Sequence, residues 1–325
     1  MALITGATGA IGPRVVEALH HARYQIRTFS LDSPAGGLFP PHVEVVIGDV
    51  AGEAAVKSVM RGVDVVVHMA ALLHITNPPT ELRERYERIN VGGTASVIQS
   101  AISAGVKRVV LFSTIAVYGQ ANGEVLDEQS PTRPDTFYAQ TKLAAEEIVM
   151  SAKNVDGQPL GTVLRLAAVY GSRIKGNYEQ LTRALAHHRF IPIGNGLNRR
   201  TLVYDKDVGR AAVLAVSHPA AAGRVFNVTD GGFHTLNEII ESICSALGRK
   251  PPRWSLPVGP MRVFSSLLDK GSRAMGIKPP ITRELIDKYT EDIAVDGSRI
   301  QKELGFMRQY DLKTGWEETI REMRA

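Results

Sequence analysis

Six short apolar runs recur along the first half of the chain, at residues 2–5 (ALIT), 25–30 (QIRTFS), 43–50 (VEVVIGDV), 63–70 (VDVVVHMA), 106–113 (VKRVVLFS) and 161–171 (GTVLRLAAVYG). Between most of them lie segments of helical length, such as PRVVEALHHA and NVGGTASVIQSAISAG. Runs this short, with uncharged centres, read as strands that need cover on both faces. Alternating β and α elements therefore predict an α/β fold, a doubly wound parallel sheet of Rossmann type. Ligands of such sheets collect beyond the carboxyl ends of the strands, so the residues just after each run are the first candidates for function.

From about residue 172 the rhythm changes, with Pro and Gly punctuation in RFIPIGNGLNRR and GRKPPRWSLPVGP, although AGRVFNVTD at 222–230 still reads as a sheet strand. This predicts a dinucleotide-binding domain from 1–171 plus about 206–230. A smaller, interleaved C-terminal substrate domain is expected from about 172–205 plus 231–325. A chain of 325 residues with 44% hydrophobic content buries a sizeable core. Its formal charge of +5 is scattered, with no run of five basic residues, so a nucleic-acid partner is not indicated and a small anion suffices. The single cysteine, Cys244, has no internal disulfide partner and sits at helical spacing in LNEIIESICSALG, as a buried thiol would. No window approaches the roughly 18 apolar residues of a membrane span, and the opening MALITGATGAIG is not a leader, so a cytoplasmic protein is expected. The segment 261–276 is amphipathic and basic, a pattern of membrane-surface helices and of helices that close a core or a dimer.

The loop after the first run is TGATGAIG, with Gly6, Gly9 and Gly12 at G-x-x-G-x-x-G spacing around Ala10 and Ile11, and a helix starting near Pro13. Glycines let backbone N–H groups approach a pyrophosphate, and the helix start adds about half a positive charge. The end of the second run selects the nicotinamide cofactor. Ser30 stands where an acid is usual, Asp32 follows two residues later, and no Arg or Lys comes after to hold a 2′-phosphate. NAD is the expected cofactor, with NADP as the alternative. Asp49, beside Val50, is placed either to meet the adenine edge or to cap the next helix.

In DTFYAQTKLAAEE, Tyr138 and Lys142 are four apart in a helical pattern, so a phenol and an ammonium share one face. A free phenol titrates near about 10, and lowering it by three units takes roughly 4 kcal/mol. A partly buried ammonium and the positive nicotinamide ring are together the expected source of that shift.

The motifs TGATGAIG, VVHMAA, RINVGGT, LFSTIAVYG, YAQTK and LRLAAVYG, in this order, resemble the extended short-chain dehydrogenase/reductase family, in its NAD-dependent sugar-nucleotide epimerase and dehydratase group. The likeness extends over nearly the whole chain, including RRTLVYDKD, VFNVTD and SRIQKELGF, and the chain resembles UDP-hexose 4-epimerases. The resemblance implies that Tyr138 is the catalytic acid/base, that Lys142 holds the nicotinamide ribose, and that Thr114 donates to the substrate oxygen. It places Ala70, Ala71, Asn90 and Ala168 at the cofactor and makes Ser113 a cofactor or structural contact. His68 remains a buried, hydrogen-bonded histidine. Family dehydratases carry an Asp-Glu pair after the catalytic threonine, where this chain has Ile115 and Ala116, so elimination of water is disfavoured. What remains is an NAD-dependent 4-epimerase acting through a 4-keto intermediate. A 4-keto-sugar reductase or a hydroxysteroid-type dehydrogenase is the alternative; a non-catalytic NAD-binding regulator is disfavoured by the complete Thr114, Tyr138 and Lys142 set.

Arg200 matches the family's diphosphate-binding arginine, with Tyr204 and Asp207 keeping the pattern, while Arg199 reads equally as part of a solvated basic pair. Arg173 and Asn177 are further candidates for substrate contact. Ala167 replaces a proline usual in the family, and the second diphosphate arginine has no clean match, only Arg283 and Lys288 in a helical stretch. Homodimerisation through helices near 85–104 and 140–152 is a further expectation from the resemblance.

Overall fold

The computed structural model describes residues 1–73, 80–263, 265 and 283–324. Seven parallel strands form one sheet: β1 (Ala2–Thr5), β2 (Ile26–Ser30), β3 (Glu44–Ile47), β4 (Val65–His68), β5 (Arg108–Thr114), β7 (Gly161–Leu166) and β11 (Arg224–Val228). Between the last three lie the short strands β6 (Val125–Leu126), β8 (Ala168–Tyr170), β9 (Arg199–Arg200) and β10 (Leu202–Tyr204). The spatial order is β11-β7-β5-β4-β1-β2-β3, and Ala2 pairs with Ile26 on one side and Val65 on the other. The strand order reverses at β1, the switch point where doubly wound sheets bind ligands.

Consecutive strand residues face opposite sides, which explains why both must be apolar. Leu3, Val66, Val109 and Val163 pack with Val56 of α2 (Glu53–Val59), Val97 of α4 (Gly93–Ser103) and Val149 of α5 (Phe137–Ser151). Their neighbours Ile4, Val67, Val110 and Leu164 pack on the other side, with Leu19 of α1 (Gly12–His21) and Ala212 of α7 (Asp205–Ser217). At the sheet edge, β3 is more exposed than its apolar sequence suggests, with Ile47 58% accessible.

The run at 161–171 divides. β7 stays in the large sheet, whereas β8 pairs with β10. The Ala167 N–H donates to Val228 O at 3.0 Å and the Ala168 N–H to Thr201 O at 3.2 Å, so the chain changes partners between these residues. Proline at 167 has no N–H for the first bond. The smaller lobe also contains α6 (Asn177–Ala186), α8 (Leu236–Leu247), β12 (His234–Thr235) paired with β9, and β13 (Ala294–Val295) paired with β6. Its core gathers Tyr170, Leu202, Tyr204, Ile239, Ile243 and Trp316, with Cys244 buried among them as expected. Of the amphipathic segment 261–276, residues 261–263 are helical; 264 and 266–276 lie outside the described residues. Among the described residues no helix is long and apolar enough to cross a membrane, and no group of three side chains is arranged to hold a metal.

Candidate active site

After β1 the chain turns through Gly6, with φ of +72°. A Cβ there would lie 2.7 Å from the Ala70 backbone, and one at Gly12 would lie 1.9 Å from Ala7 O. Only glycine lets this loop pass the end of β4 and lets α1 pack against it. α1 starts with no side-chain cap on Ile11 and no acid in its first turn, so its amide end, running on from Gly9 and Ala10, carries no opposing charge of its own and suits an anion. Ser30 is buried at the end of β2, and its hydroxyl accepts from the Thr8 N–H at 3.3 Å, bracing the loop. Asp32 is exposed just beyond it. Asp49 accepts from the Ala51 N–H at 2.9 Å within the turn before α2 and lies 3.6 Å from Arg88; the N-cap of α2 is Gly52, so Asp49 does not cap that helix. Val50 packs against Gly93, where an added Cβ would meet it at 3.0 Å. An uncapped helix start, an enforced close approach and an acid beyond β2 fit a dinucleotide.

Beneath this loop runs a buried polar chain. Thr94 Oγ1 donates to Asn90 O at 2.6 Å, so its oxygen accepts from His68 Nε2 at 3.0 Å. Nδ1 of the neutral ring must then accept from Thr5 Oγ1 at 2.7 Å, and that oxygen accepts from the Met69 and Ala70 N–H groups at 3.3 Å. Burial, and then the Lys142 charge, pull the His68 imidazolium down to about 3. Asn90 sits in a single π-helical turn, Glu87–Gly92. Its side chain brackets Leu72, accepting from the N–H at 2.7 Å and donating to the O at 3.2 Å, and it donates to Thr141 Oγ1 at 3.1 Å. Thr141 Oγ1 in turn donates to Tyr138 O at 2.9 Å. The chain thus links the glycine loop, with Ala70 and Ala71 beside it, to the helix that carries Tyr138. Thr5, Thr94 and Thr141 were not among the residues the sequence singled out; a buried His68 was the only local sign of them.

Thr114 ends β5 and caps the 3-10 turn Ile115–Tyr118, its Oγ1 accepting from the Ala116 N–H at 3.2 Å. The hydroxyl proton is left to be donated. α5 begins after Thr136, whose side chain accepts from the Ala139 N–H at 3.3 Å, which sets Tyr138 in the first turn and Lys142 one turn on. Ser113 fastens the end of β5 to α5, donating to Glu146 at 2.5 Å. Glu146 also takes a buried bidentate pair from Arg165, closest at 2.7 Å, so the Ser113 hydroxyl is committed to structure. Arg165 lies over the Tyr118 ring, whose hydroxyl donates to Asn227 at 2.8 Å. Tyr86 stands edge-on to Tyr138, ring centres 6.4 Å apart.

The protonation states differ from those a simple phenol and ammonium pair implies. Burial, and then Tyr86, push the Tyr138 phenol up to about 12, while burial pulls the Lys142 ammonium down to about 8 against the opposing pull of Glu146. Desolvation dominates at both groups, leaving the phenol protonated and the ammonium charged only below about 8.

In the smaller lobe Arg200 is largely buried, donates to Tyr289 O at 3.0 Å and stands 4.0 Å from Glu291. Its charge also opposes the push of burial on the Tyr178 and Tyr289 phenols, both raised to about 12. The start of α6 at Asn177, β9 and the helix Arg283–Thr290 therefore converge around Arg200, with Arg173 exposed in the turn before α6. Arg199 is not a solvated partner: it makes a bidentate pair with Asp292, closest at 2.6 Å, and donates to Gly123 O at 2.8 Å. Tyr204 is buried, and Asp207 accepts from the Gln309 and Tyr310 N–H groups at 3.0 and 3.2 Å, so both hold the lobe together. The stretch with Arg283 and Lys288 is helical as expected, but the placement of those two side chains lies outside the described residues. Ala168 is exposed at the start of β8, following Ala167.

Residues 2–229 match the NAD dependent epimerase/dehydratase family. The N-acetyl-alpha-D-glucosaminyl-diphospho-ditrans,octacis-undecaprenol 4-epimerase of Escherichia coli O157:H7 is 27% identical, over 98% of this chain and 93% of its own length. The UDP-glucose 4-epimerase of Vibrio cholerae is 28% identical with the same coverage. A 3 beta-hydroxysteroid dehydrogenase/Delta 5-->4-isomerase of Mycobacterium tuberculosis is 24% identical, over 94% of this chain and 85% of its own length. Among solved structures, MoeE5 in complex with UDP-glucose and NAD aligns with a TM-score of 0.77 at 25% identity, covering 99% of this chain and 98% of that one.

Proposed function

The chain belongs to the NAD dependent epimerase/dehydratase family, and from that premise we propose that it is an NAD-dependent 4-epimerase of a hexose carried on a diphosphate, with a UDP-hexose as the first substrate. The observation that carries this reading is the turn after β5. Thr114 offers its hydroxyl proton at the strand end, and the next two residues, Ile115 and Ala116, have no group that transfers a proton. Elimination of water needs an acid and a base there; inversion of a hydroxyl needs neither.

Glycines 6, 9 and 12 and the start of α1 would hold the cofactor diphosphate, Asp32 the adenosine ribose, and Lys142 the nicotinamide ribose. Bound NAD supplies a hydride acceptor, then a hydride donor, and in its oxidised form a positive charge beside the phenol. Tyr138 Oη takes the proton of the C4 hydroxyl, and Thr114 Oγ1 donates to the same oxygen and fixes its direction. Tyr138 accepts that proton as its phenolate, which Lys142, charged below about 8, stabilises beforehand. The 4-keto sugar turns its other face, and Tyr138 Oη returns the proton. Arg200 suits the diphosphate because its fork donates parallel, charge-assisted bonds.

Two relatives support the diphosphate as the shared element, since UDP-glucose and the undecaprenol-linked sugar differ in what lies beyond it. Incubation with UDP-glucose or UDP-N-acetylglucosamine, without added reductant, should give a mixture of 4-epimers by nuclear magnetic resonance. A 4-keto-6-deoxy product would overturn the rejection of elimination. Inertness toward sugar diphosphates combined with NAD-dependent oxidation of a hydroxysteroid would replace the reading with the dehydrogenase alternative.

A further inference from the structure

Large apolar side chains are exposed together on one part of the smaller lobe. Ile191 and Leu197, in the loop between α6 and β9, are 59% and 62% accessible, and Trp254, in the segment after α8, is 85% accessible. The two segments run side by side. Leu256 N–H donates to Pro192 O and Gly194 N–H to Leu256 O, each at 2.8 Å, in a parallel bridge that pairs Ile193 with Leu256. In this register Ile191 and Trp254 each stand two residues before the paired positions, on adjoining stretches of the two segments. Burying a tryptophan and the aliphatic side chain alongside it is favourable, and among the described residues both stand open to solvent.

The two segments are one-sided in charge. Residues 187–198 and 248–263 contain Arg189, Arg249, Lys250, Arg253 and Arg262 but no Asp or Glu. Arg189, Lys250 and Arg253 are exposed, and Arg262 is turned to Asp287 at 2.7 Å. Over the whole chain 38 basic residues are nearly balanced by 33 acidic ones, so the absence of carboxylates within these two segments sets them apart, Asp287 being brought to Arg262 by the fold. A cationic rim around an exposed indole is complementary to an anionic lipid surface, where tryptophan settles at headgroup level and lysines and arginines meet acidic headgroups. The face also leads into the candidate site. Asn198 donates to Tyr289 O at 3.1 Å, the same carbonyl that accepts from Arg200.

We propose that this face docks the protein on an anionic lipid bilayer and brings the Arg200 site to the headgroup layer, where a sugar diphosphate is carried by a membrane lipid. The lipid carrier rests on the sugar-diphosphate reading above; the docking does not.

The chain has two tryptophans, and Trp316 is buried, so a vesicle-dependent change in emission reports Trp254. With vesicles of phosphatidylglycerol and phosphatidylethanolamine, the protein should co-sediment and its emission should shift to the blue. Phosphatidylcholine vesicles or high salt should abolish both effects. Trp254→Ser should weaken partitioning by about tenfold, and Lys250→Gln and Arg253→Gln by about fivefold each. Turnover of a polyprenyl-diphospho-hexose embedded in those vesicles should fall with Trp254→Ser by the same factor, while turnover of UDP-hexose in solution stays unchanged. Absence of sedimentation, sedimentation indifferent to the three substitutions, or a concentration-dependent blue shift without vesicles at the mass of a dimer would each overturn the docking. A protein that sediments yet turns over no sugar diphosphate fails the reaction alone, and one that epimerises UDP-hexose but does not sediment fails the docking alone.

Discussion

Acidification to pH 5 should destabilise the protein through a single buried ring. His68 has no solvent exposure, both of its nitrogens are committed to threonine hydroxyls, and its pKa is held at about 3 against an ordinary 6.5. The unfolded chain therefore binds a proton between those values that the folded chain does not, so stability rises with pH across this window. It is fully present above 6.5 and lost progressively toward 3. The 3.5-unit gap corresponds to about 5 kcal/mol over the whole window, of which about 2 kcal/mol is lost between pH 7 and pH 5. His68→Gln removes the titration while keeping a donor and an acceptor. Breaking the chain should itself cost about 1–3 kcal/mol at pH 7, but the variant should lack the His68 share of the pH slope. Urea unfolding of both proteins at pH 5, 6 and 7 isolates that share, because the other histidines titrate equally in the two backgrounds. Parallel slopes for wild type and variant would refute the buried, neutral assignment of His68.

Tyr138→Phe should lower turnover by about 10²–10⁴-fold, since it deletes the transferable proton, while cofactor affinity measured by fluorescence titration stays nearly unchanged. Glu146→Gln leaves Arg165 charged, buried and without a carboxylate, so a loss of about 3 kcal/mol is expected in denaturant unfolding. The same variant removes the group that holds the Lys142 charge up. The alkaline fall of kcat/KM, expected as pH rises through about 8 where Lys142 discharges, should move to lower pH. NAD should bind more tightly than NADP, because Asp32 is exposed beyond β2 where a 2′-phosphate would meet its charge. A preference for NADP in competitive titration would make the reductase alternative the stronger one.

The fold was legible because its signals are local. Apolar pairs such as Leu3 and Ile4 announce strands covered on both faces, and the glycines of TGATGAIG announce a turn in which Cβ atoms collide with Ala70 and Ala7. The candidate site was legible only in part, because its supports are made by partners far apart in the chain. Ser113 and Arg165 meet on Glu146 across 33 and 19 residues, and Arg199 finds Asp292 across 93. Read alone, Arg199 is a surface cation; folded, it clasps β9 to the segment before β13. Neither the π-helical turn at Glu87–Gly92 nor the division of the 161–171 run at Ala167 has a local composition signal, since both depend on which backbone groups arrive opposite. The dominance of burial at Tyr138 and Lys142 likewise belongs to the fold and not to the four-residue spacing.

The most direct test of the central claim, that Thr114, Tyr138 and Lys142 invert a sugar hydroxyl by removing and returning one hydride within a single site, is the fate of deuterium at C4. A UDP-hexose deuterated at that carbon is incubated with the enzyme and an excess of unlabelled NADH, and the epimerised product is analysed by mass spectrometry. The account predicts that the product keeps its deuterium and that the NADH pool gains none. Replacement of the label by hydrogen from the pool, or a product that forms only as NADH is consumed, would contradict it and identify a reductase.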